Sequence, residues 1–374
     1  MQGSVRDQRV ELLERGVLYP GGPGQLTHRR EIYGFMGRTW GWGAPPSLKH
    51  WNALMKQVEA HPQARSLISH EYACESDEQT VRNFQDALGE NTHIAITARN
   101  YAGSLPSAWQ QFLKAAIRTD FEAWLKAILS DPPNTSITKA FHKRDLAETV
   151  ERWASVFGPE NVTVLVTDKH FPSLIGDGFE DLLGLPRGML APVEDGFFTN
   201  RGLGVREAEL VRQLNKRLKT KDLEWADYQT WVRGGVVRGL LDHREPQSKL
   251  ELPSWAAELA NQRNLVQADR IAASGVRVIG DLDELRRPIS GTDGVDYTPD
   301  TIPIDIAVEA ILGVIASTSA RADDVAYKND EIARRKAERA AVIDTTSRGL
   351  LAEVGRRARS RAKKSLGLGR RPQA

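Results

Sequence analysis

The sequence predicts an α/β protein in which a mainly parallel β-sheet is flanked by helices in three layers, followed by a helical C-terminal region. Short apolar runs that are typical of buried strands alternate with amphipathic stretches of helical length. Beyond residue 185 this alternation gives way to a stretch that is almost wholly helical. The alternation predicts the parallel sheet, and the change after it predicts the helical region.

Each expected strand is an apolar run closed by polar residues, and each expected helix carries an apolar face. Gly16 ends the first helix, Ser76 caps the third, and Pro106 immediately precedes the fourth. The predicted order over the first 185 residues is helix 4–15, loop 16–46, helix 48–59, strand 65–71, helix 76–88, strand 93–98, helix 107–117, helix 120–129, helix 145–158, strand 162–167 and helix 172–185. Helices over 205–275, a strand and turn over 277–285, and an apolar helix over 304–315 packed on the body are expected to follow.

Three regions are predicted from this order. Residues 1–190 form an α/β core, residues 191–318 form a helical cover with a returning strand, and residues 319–374 form a basic helical or disordered tail. The chain of 374 residues is long enough for one large domain with appendages or for two domains.

Composition indicates a cytoplasmic protein. No stretch approaches 18 consecutive apolar residues, and the charged N-terminus lacks the apolar core of a signal peptide. The single cysteine, Cys74, cannot form an internal disulfide, which favours a reducing compartment.

The segment TARNYAGSLPSAWQ (97–110) joins a predicted strand to a predicted helix and carries Arg99 and Ser107. An arginine offers a phosphate a planar fork with a permanent charge. Ser107 follows Pro106, where the free N–H groups of a helix start favour an anion. Ligands bind at the carboxyl ends of parallel strands in such sheets. An exposed arginine and an ordinary helix cap would explain the same two residues.

This segment and its neighbours resemble, in their order along the chain, a bacterial and actinobacterial branch of the sulfotransferase family. The resemblance covers residues 1–290 and includes the segments GVLYPG, SLISHE, VTVLVT, NRGLG and VIGDLDEL. It implies a P-loop α/β fold in which Arg99 and Ser107 hold the 3′-phosphate of 3′-phosphoadenosine 5′-phosphosulfate. It also implies transfer of a sulfuryl group to a hydroxyl or amine of a carbohydrate, glycolipid or small metabolite.

The resemblance places the catalytic base at the end of the strand that carries SLISHE. Glu71 is the first candidate and His70 the second, although a surface acid and a structural histidine remain alternatives. Such a base removes the proton of the acceptor hydroxyl. No metal is implied, because a lysine and helix N-termini supply the positive charge in this family. Lys114 is a candidate contact for bound anionic groups, and a solvated helix lysine is the alternative.

The phosphate loop of the family, which resembles KTGTT or KTGTS, does not occur in the 374 residues. The Gly-rich segment GGPGQ (21–25) lacks the lysine. Two hypotheses follow: the coding sequence begins upstream of Met1, or the chain is a degenerate homologue that acts as a non-catalytic binding or scaffold protein. Under either hypothesis, we expect these residues to bind the donor poorly and to lack the central strand.

The last twenty residues are strongly basic. They contribute +8 to a net charge of +2, which leaves −6 for the rest of the chain. This tail is expected to contact anionic membrane lipids, peripheral to the inner membrane, or to contact nucleic acid, or to be a disordered solubilising segment. Nucleic acid is not expected to bind the acidic body.

Overall fold

The computed structural model describes residues 2–39, 41–135, 145–191, 201–218, 222–242 and 249–322, together with positions 331, 349, 355, 356 and 359. It divides the chain into two compact units, Met1–Val314 and Ile315–Ala374. Most of the predicted tail (319–374) therefore lies outside the described residues. The predicted regions 1–190 and 191–318 stay predictions.

Helices make up most of the first unit. They are, in chain order, α1 (Gln2–Asp7), α2 (Arg9–Glu14), α3 (Arg29–Met36), α4 (Lys49–Glu59), α5 (Glu78–Leu88), α6 (Tyr101–Leu113), α7 (Phe121–Leu129), α8 (Leu146–Phe157), α9 (Leu174–Leu183), α10 (Val205–Arg217), α11 (Trp225–Tyr228), α12 (Val237–Asp242), α13 (Ser254–Ala273), α14 (Asp283–Arg286) and α15 (304–322), which continues into the second unit. Short 3₁₀ turns cover Glu71–Glu75 and Pro159–Asn161, and a π-helix covers Gln229–Val236.

The strands form two parallel sheets. Strand β1 (Val17–Leu18) pairs with β2 (Arg65–Ser66), and β4 (Val162–Val166) pairs with β3 (Ile94–Ala98) on one side and β5 (Arg277–Ile279) on the other. Every residue of β4 is buried, as a central strand of a parallel sheet should be. The mixed α/β class and the parallel pairing are thus confirmed.

The two sheets share their hydrophobic surroundings. One hydrophobic cluster, called the front cluster, is centred on α1, α2 and α9 and contains Val5, Leu12 and Phe179. The other, called the back cluster, is centred on α4, α5 and α8 and contains Trp51, Val81 and Trp153. Just after β2, Leu67 contacts the front cluster and Ile68 contacts the back cluster. In β3, Ala95 contacts the front cluster and Ile96 contacts the back cluster. Successive side chains of a strand point to opposite faces, so both sheets lie between the same two helical layers. No ladder joins β2 to β3 among the described residues.

Several predicted boundaries are wrong. Residues 25–46 were expected to form a loop, but they contain α3, whose Ile32 and Tyr33 are buried and whose end is marked by Gly37 in the left-handed region. Glycines at 34 and 37 obscure the apolar period of this helix in the sequence. Strand 65–71 is shorter than expected, because only two of its residues pair before the chain enters a 3₁₀ turn. Asp77, rather than Ser76, caps α5 by accepting a hydrogen bond from the Thr80 N–H.

Helix α6 begins at Tyr101, six residues before the predicted start. The side chain of Asn100 caps it by accepting a hydrogen bond from the Gly103 N–H at 3.0 Å. Pro106 therefore lies inside the helix, where its ring removes one backbone hydrogen bond. Burial of Ala102 and Leu105, both fully inaccessible, offsets this loss.

Helix α15 was expected to pack on the rest of the protein. One face of its first half does so. Ile306 and Ala310 are buried in the core of the helical region. The backbone approaches closely here, since a Cβ on Gly313 would lie 2.3 Å from the Gly235 carbonyl oxygen. A second apolar face of the same helix is exposed; it comprises Ile304, Val308, Ile311 and Leu312.

Candidate functional site

A cleft of about 730 Å³ lies beside the carboxyl end of β2. Its walls come from α1, the loop 22–27, the start of α3, the residues after β2, the C-terminal half of α6 and the π-helix. The side chains that matter for its chemistry are Arg29, Arg30, Glu31, His50, His70, Glu71, Tyr72, Gln111 and Arg233. Elements distant in sequence therefore converge where a parallel strand ends, which is the usual place for a ligand in such sheets.

Both candidate bases line this cleft. The chain runs extended through His70 and then turns at Glu71 into the 3₁₀ segment. The Glu71 side chain is exposed to the cleft, so its carboxylate is accessible to a bound molecule. The His70 ring packs edge-on against Tyr33 and Tyr72, at centroid distances of 5.6 and 5.1 Å. The structure brings the two predicted residues together, while their role as base stays a prediction.

His28 holds the backbone just before these residues. The ring Nδ1 of His28 accepts a hydrogen bond from the backbone N–H of Ser69 at 2.9 Å. The backbone N–H of His28 donates to the Ser69 carbonyl at 3.0 Å. Its Nε2 donates to the Pro20 carbonyl at 2.8 Å, so the ring is neutral with the proton on Nε2. Burial lowers the pKa of His28 and favours this neutral form. No local pattern in the sequence identifies this histidine, because its partner Ser69 is brought to it by the tertiary fold.

Arg9 holds the loop that forms one wall of the cleft. Its guanidinium donates to the Gly22 carbonyl at 2.9 Å and to the Gln25 carbonyl at 2.6 Å. It also lies over the ring of Tyr19, 4.7 Å from the centroid. Burial lowers the pKa of Arg9. The loop is consequently fixed to α2 on one side and, through His28, to the end of β2 on the other.

Positive charge is concentrated on one side of the cleft. Arg233 is half-buried, and its pKa is lowered first by burial and then by the charge of Arg29. Lys114 follows Gln111 by one helical turn, and its pKa is lowered by burial and by the charge of Arg233. The charge of Arg29 thus acts on Arg233, and the charge of Arg233 acts on Lys114. Lys114 is half-buried at the end of α6 and does not line the cleft, so its contact with a bound anionic group stays a prediction.

Arg99 and Ser107 do not line the cleft in the part of the chain that the structure describes. Both are exposed, and the helix-start geometry predicted for Ser107 is wrong, because Ser107 is the seventh residue of α6. Its hydroxyl donates to the Ser104 carbonyl at 2.8 Å. The Arg99 guanidinium donates to the Gly103 carbonyl at 3.3 Å. Gly103 and Ser107 are four residues apart on one helix, so Arg99 and Ser107 share a face.

Asn100 fixes the position of Arg99. Its Nδ2 donates to the carbonyls of Leu285 and Arg287, at 3.0 and 2.8 Å, and its Oδ1 accepts from the Asn264 side chain at 3.0 Å. The strand β3, the helix α13 and the segment after β5 thus meet at this side chain. Nothing local in the sequence identifies Asn100 as such a junction, since its partners lie more than 160 residues away.

Comparison with known proteins adds no relative: no family model, no curated protein and no solved structure matches the chain. Within the described ranges, no three His, Cys, Asp or Glu side chains are grouped so as to hold a metal ion. None of the helices described there is both long enough and apolar enough to cross a membrane.

Proposed function

We propose that the chain is a sulfotransferase-like protein that takes a sulfuryl group from 3′-phosphoadenosine 5′-phosphosulfate. The acceptor is a hydroxyl or amine of a carbohydrate, glycolipid or small metabolite. One observation carries the proposal: His70 and Glu71 follow a parallel strand and line a cleft that also holds Arg29, Arg30 and Arg233. A base beside fixed positive charge is what transfer of an anionic group requires.

The chemistry is an in-line displacement. The acceptor oxygen attacks sulfur while Glu71, or His70 in its neutral form, takes the hydroxyl proton. The bond from sulfur to the bridging oxygen breaks, and the electron pair leaves with the 5′-phosphate of adenosine 3′,5′-bisphosphate. Arginine side chains stabilise the charge that develops during transfer, and the fixed wall of the cleft orients the acceptor.

Arg99 and Ser107 would hold the 3′-phosphate of the donor. Their side chains lie on one exposed face of α6, and Asn100 holds Arg99 at the carboxyl end of β3. A phosphate placed between a guanidinium and a hydroxyl gains charge-assisted hydrogen bonds from both. These features support the proposed donor site, although Ser107 contributes through its side chain and not through a helix start.

Acceptor-dependent cleavage of the donor tests the proposed function. The full chain is incubated with millimolar donor, which compensates for weak binding, and with sugar and small hydroxyl acceptors. We expect Glu71→Gln to lower the release of adenosine 3′,5′-bisphosphate by about 100-fold or more, because a general base is lost. Glu90→Gln, at an exposed site away from the cleft, serves as the matched control. Nucleotide binding without acceptor-dependent release would instead favour the non-catalytic binding or scaffold protein.

A further inference from the structure

Five glutamates are buried in the part of the chain that the structure describes, and one of them differs from the others. The four that have partners are Glu75 with Arg38, Glu207 with Arg201, Glu209 with Arg212, and Glu180 with the N–H groups of Gly188 and Leu190. The fifth, Glu31, lines the cleft and is only 8% exposed. Its buried Oε2 accepts no hydrogen bond, and no ion pair joins Glu31 to a cation among the described residues.

A buried carboxylate without a partner is unfavourable in the free protein. Withdrawal of the charge from water is costly unless hydrogen bonds or an opposite charge replace the water. Glu31 lies in the first turn of α3, where the helix dipole favours negative charge, but the dipole offsets only part of that cost. An unsatisfied polar group beside a cleft therefore indicates a role in binding, in which a ligand supplies the partner.

The two side chains near Glu31 that carry donor hydrogens use them elsewhere. The charge of Glu31 acts on Tyr19 and His28, so the carboxylate lies near both rings. The Tyr19 hydroxyl donates to the Leu26 carbonyl at 2.7 Å. The Nε2 of His28 donates to the Pro20 carbonyl at 2.8 Å. Neither ring supplies the hydrogen bond that Oε2 of Glu31 lacks, so the donor must come from a molecule in the cleft.

The charges around Glu31 favour a neutral donor over a cation. Arg29 and Arg30 line the same cleft, and Arg9 lies over the Tyr19 ring, where it donates to carbonyls of the loop 22–27. These positive charges repel an ammonium group that approaches the carboxylate. A hydroxyl group carries no charge and donates one hydrogen bond to a carboxylate. A ligand hydroxyl is therefore the donor that fits this position.

We propose that Glu31 binds a hydroxyl group of the acceptor and thereby selects a compound with at least two hydroxyl groups, such as a sugar. That the bound molecule is the acceptor rests on the proposed function. Glu31 and the candidate bases His70 and Glu71 line one cleft of about 730 Å³, a volume that accommodates a small ligand. One hydroxyl would donate to Glu31, while a second hydroxyl faces the base.

Urea unfolding tests whether Glu31 destabilises the free protein, as a residue kept for binding should. We expect Glu31→Gln to unfold at a higher urea concentration than the wild type at pH 7.5, because the variant removes a buried charge and keeps the shape. Glu209→Gln is the matched control, since Glu209 is equally buried but pairs with Arg212, and it should unfold at a lower concentration. An equal or lower midpoint for Glu31→Gln would overturn the assignment.

Saturation-transfer NMR with glucose and the full chain tests the class of ligand. We expect glucose to bind the wild type and Glu90→Gln, which is exposed away from the cleft, and we expect Glu31→Gln to lower the affinity at least tenfold. Glucosamine, measured below the pKa of its amine, should bind more weakly than glucose because the arginines repel its charge. No binding of glucose to the wild type, an affinity that Glu31→Gln leaves unchanged, or tighter binding of glucosamine would overturn the assignment.

The hydroxyl site and the proposed function can fail separately. Glucose binding that depends on Glu31, without acceptor-dependent release of adenosine 3′,5′-bisphosphate, would reject the sulfotransferase proposal and retain the hydroxyl site. Acceptor-dependent release that is equal in Glu31→Gln and the wild type would reject the role of Glu31 and retain the sulfotransferase proposal.

Discussion

His28 links the loop before α3 to the backbone of Ser69 through three hydrogen bonds. One of them requires a neutral ring, because a protonated Nδ1 could not accept from the Ser69 N–H; the proton of this neutral ring is then on Nε2, which donates to the Pro20 carbonyl. The residue is fully buried, and burial holds its pKa below the ordinary value. A small group of contacts thus positions the two candidate bases that follow.

We predict that His28→Asn lowers the free energy of unfolding by about 2–4 kcal/mol at pH 7.5, since two buried backbone groups lose their partner. The pKa of His28 is lower in the folded state than in the unfolded chain, so the unfolded chain protonates this ring first as the pH falls. The stability that the wild-type ring provides is therefore present above about pH 6.5 and is lost below it. Urea unfolding of both proteins between pH 7.5 and 5 measures the difference.

The His28 difference should shrink as the pH decreases through this range. His170→Asn, at an exposed site, is the control and should change stability by less than about 0.5 kcal/mol. A difference between wild type and His28→Asn that stays constant from pH 7.5 to 5 would contradict the neutral, hydrogen-bonded ring.

Helix α10 contains a buried ion pair that the sequence did not single out. The Arg212 guanidinium binds the Glu209 carboxylate with two hydrogen bonds of 2.7 Å, and the two side chains are only 5% and 2% exposed. Gln213 also donates to this carboxylate, at 2.7 Å. A buried pair of this kind is costly to break, because removal of one partner leaves an uncompensated charge.

We predict that Arg212→Met destabilises the protein by about 3–5 kcal/mol and that the double variant Arg212→Met/Glu209→Met recovers most of that loss. Denaturant unfolding gives both values. Arg82→Met is the matched control, since Arg82 pairs with Glu78 on the exposed face of α5, and it should cost less than about 1 kcal/mol. A double variant as unstable as the single one would show that the charge pair itself carries the stability.

The sequence predicts elements well where the signal is local. The apolar runs of β3 and β4 and the helix starts at Asp120 and Asp145 were predicted within a residue or two, and in the structure both aspartates cap their helices. Helix α3 was missed because its glycines interrupt the period, and the start of α6 was misplaced because Pro106 lies within that helix and does not begin it. In both cases buried tertiary contacts outweigh the local preference.

The same limit applies to the site. His70 and Glu71 were predicted from a segment of six residues, and the structure places both in the cleft. Arg233, His28 and Arg9 were not predicted, because their positions depend on contacts between elements far apart in the chain. The sequence therefore singled out His70 and Glu71 and missed the arginines that line the same cleft.

For the molecule as a whole, two anion sites are proposed on the first unit. One is the exposed face of α6 with Arg99 and Ser107, and the other is the cleft with Arg233. The acidic balance of the body makes such local concentrations of positive charge informative, because they occur against a background of opposite sign. Membrane contact by the basic tail stays a prediction.

The nucleotide site is the central claim, and calorimetric titration of adenosine 3′,5′-bisphosphate into the full chain tests it most directly. We predict weak binding, because the phosphate loop does not occur in these 374 residues, and a loss of at least tenfold in Arg99→Ala but not in Arg82→Ala. Adenosine 5′-phosphate, which lacks the 3′-phosphate, should not distinguish the wild type from Arg99→Ala. No binding of the bisphosphate, or binding that Arg99→Ala leaves unchanged, would contradict the account.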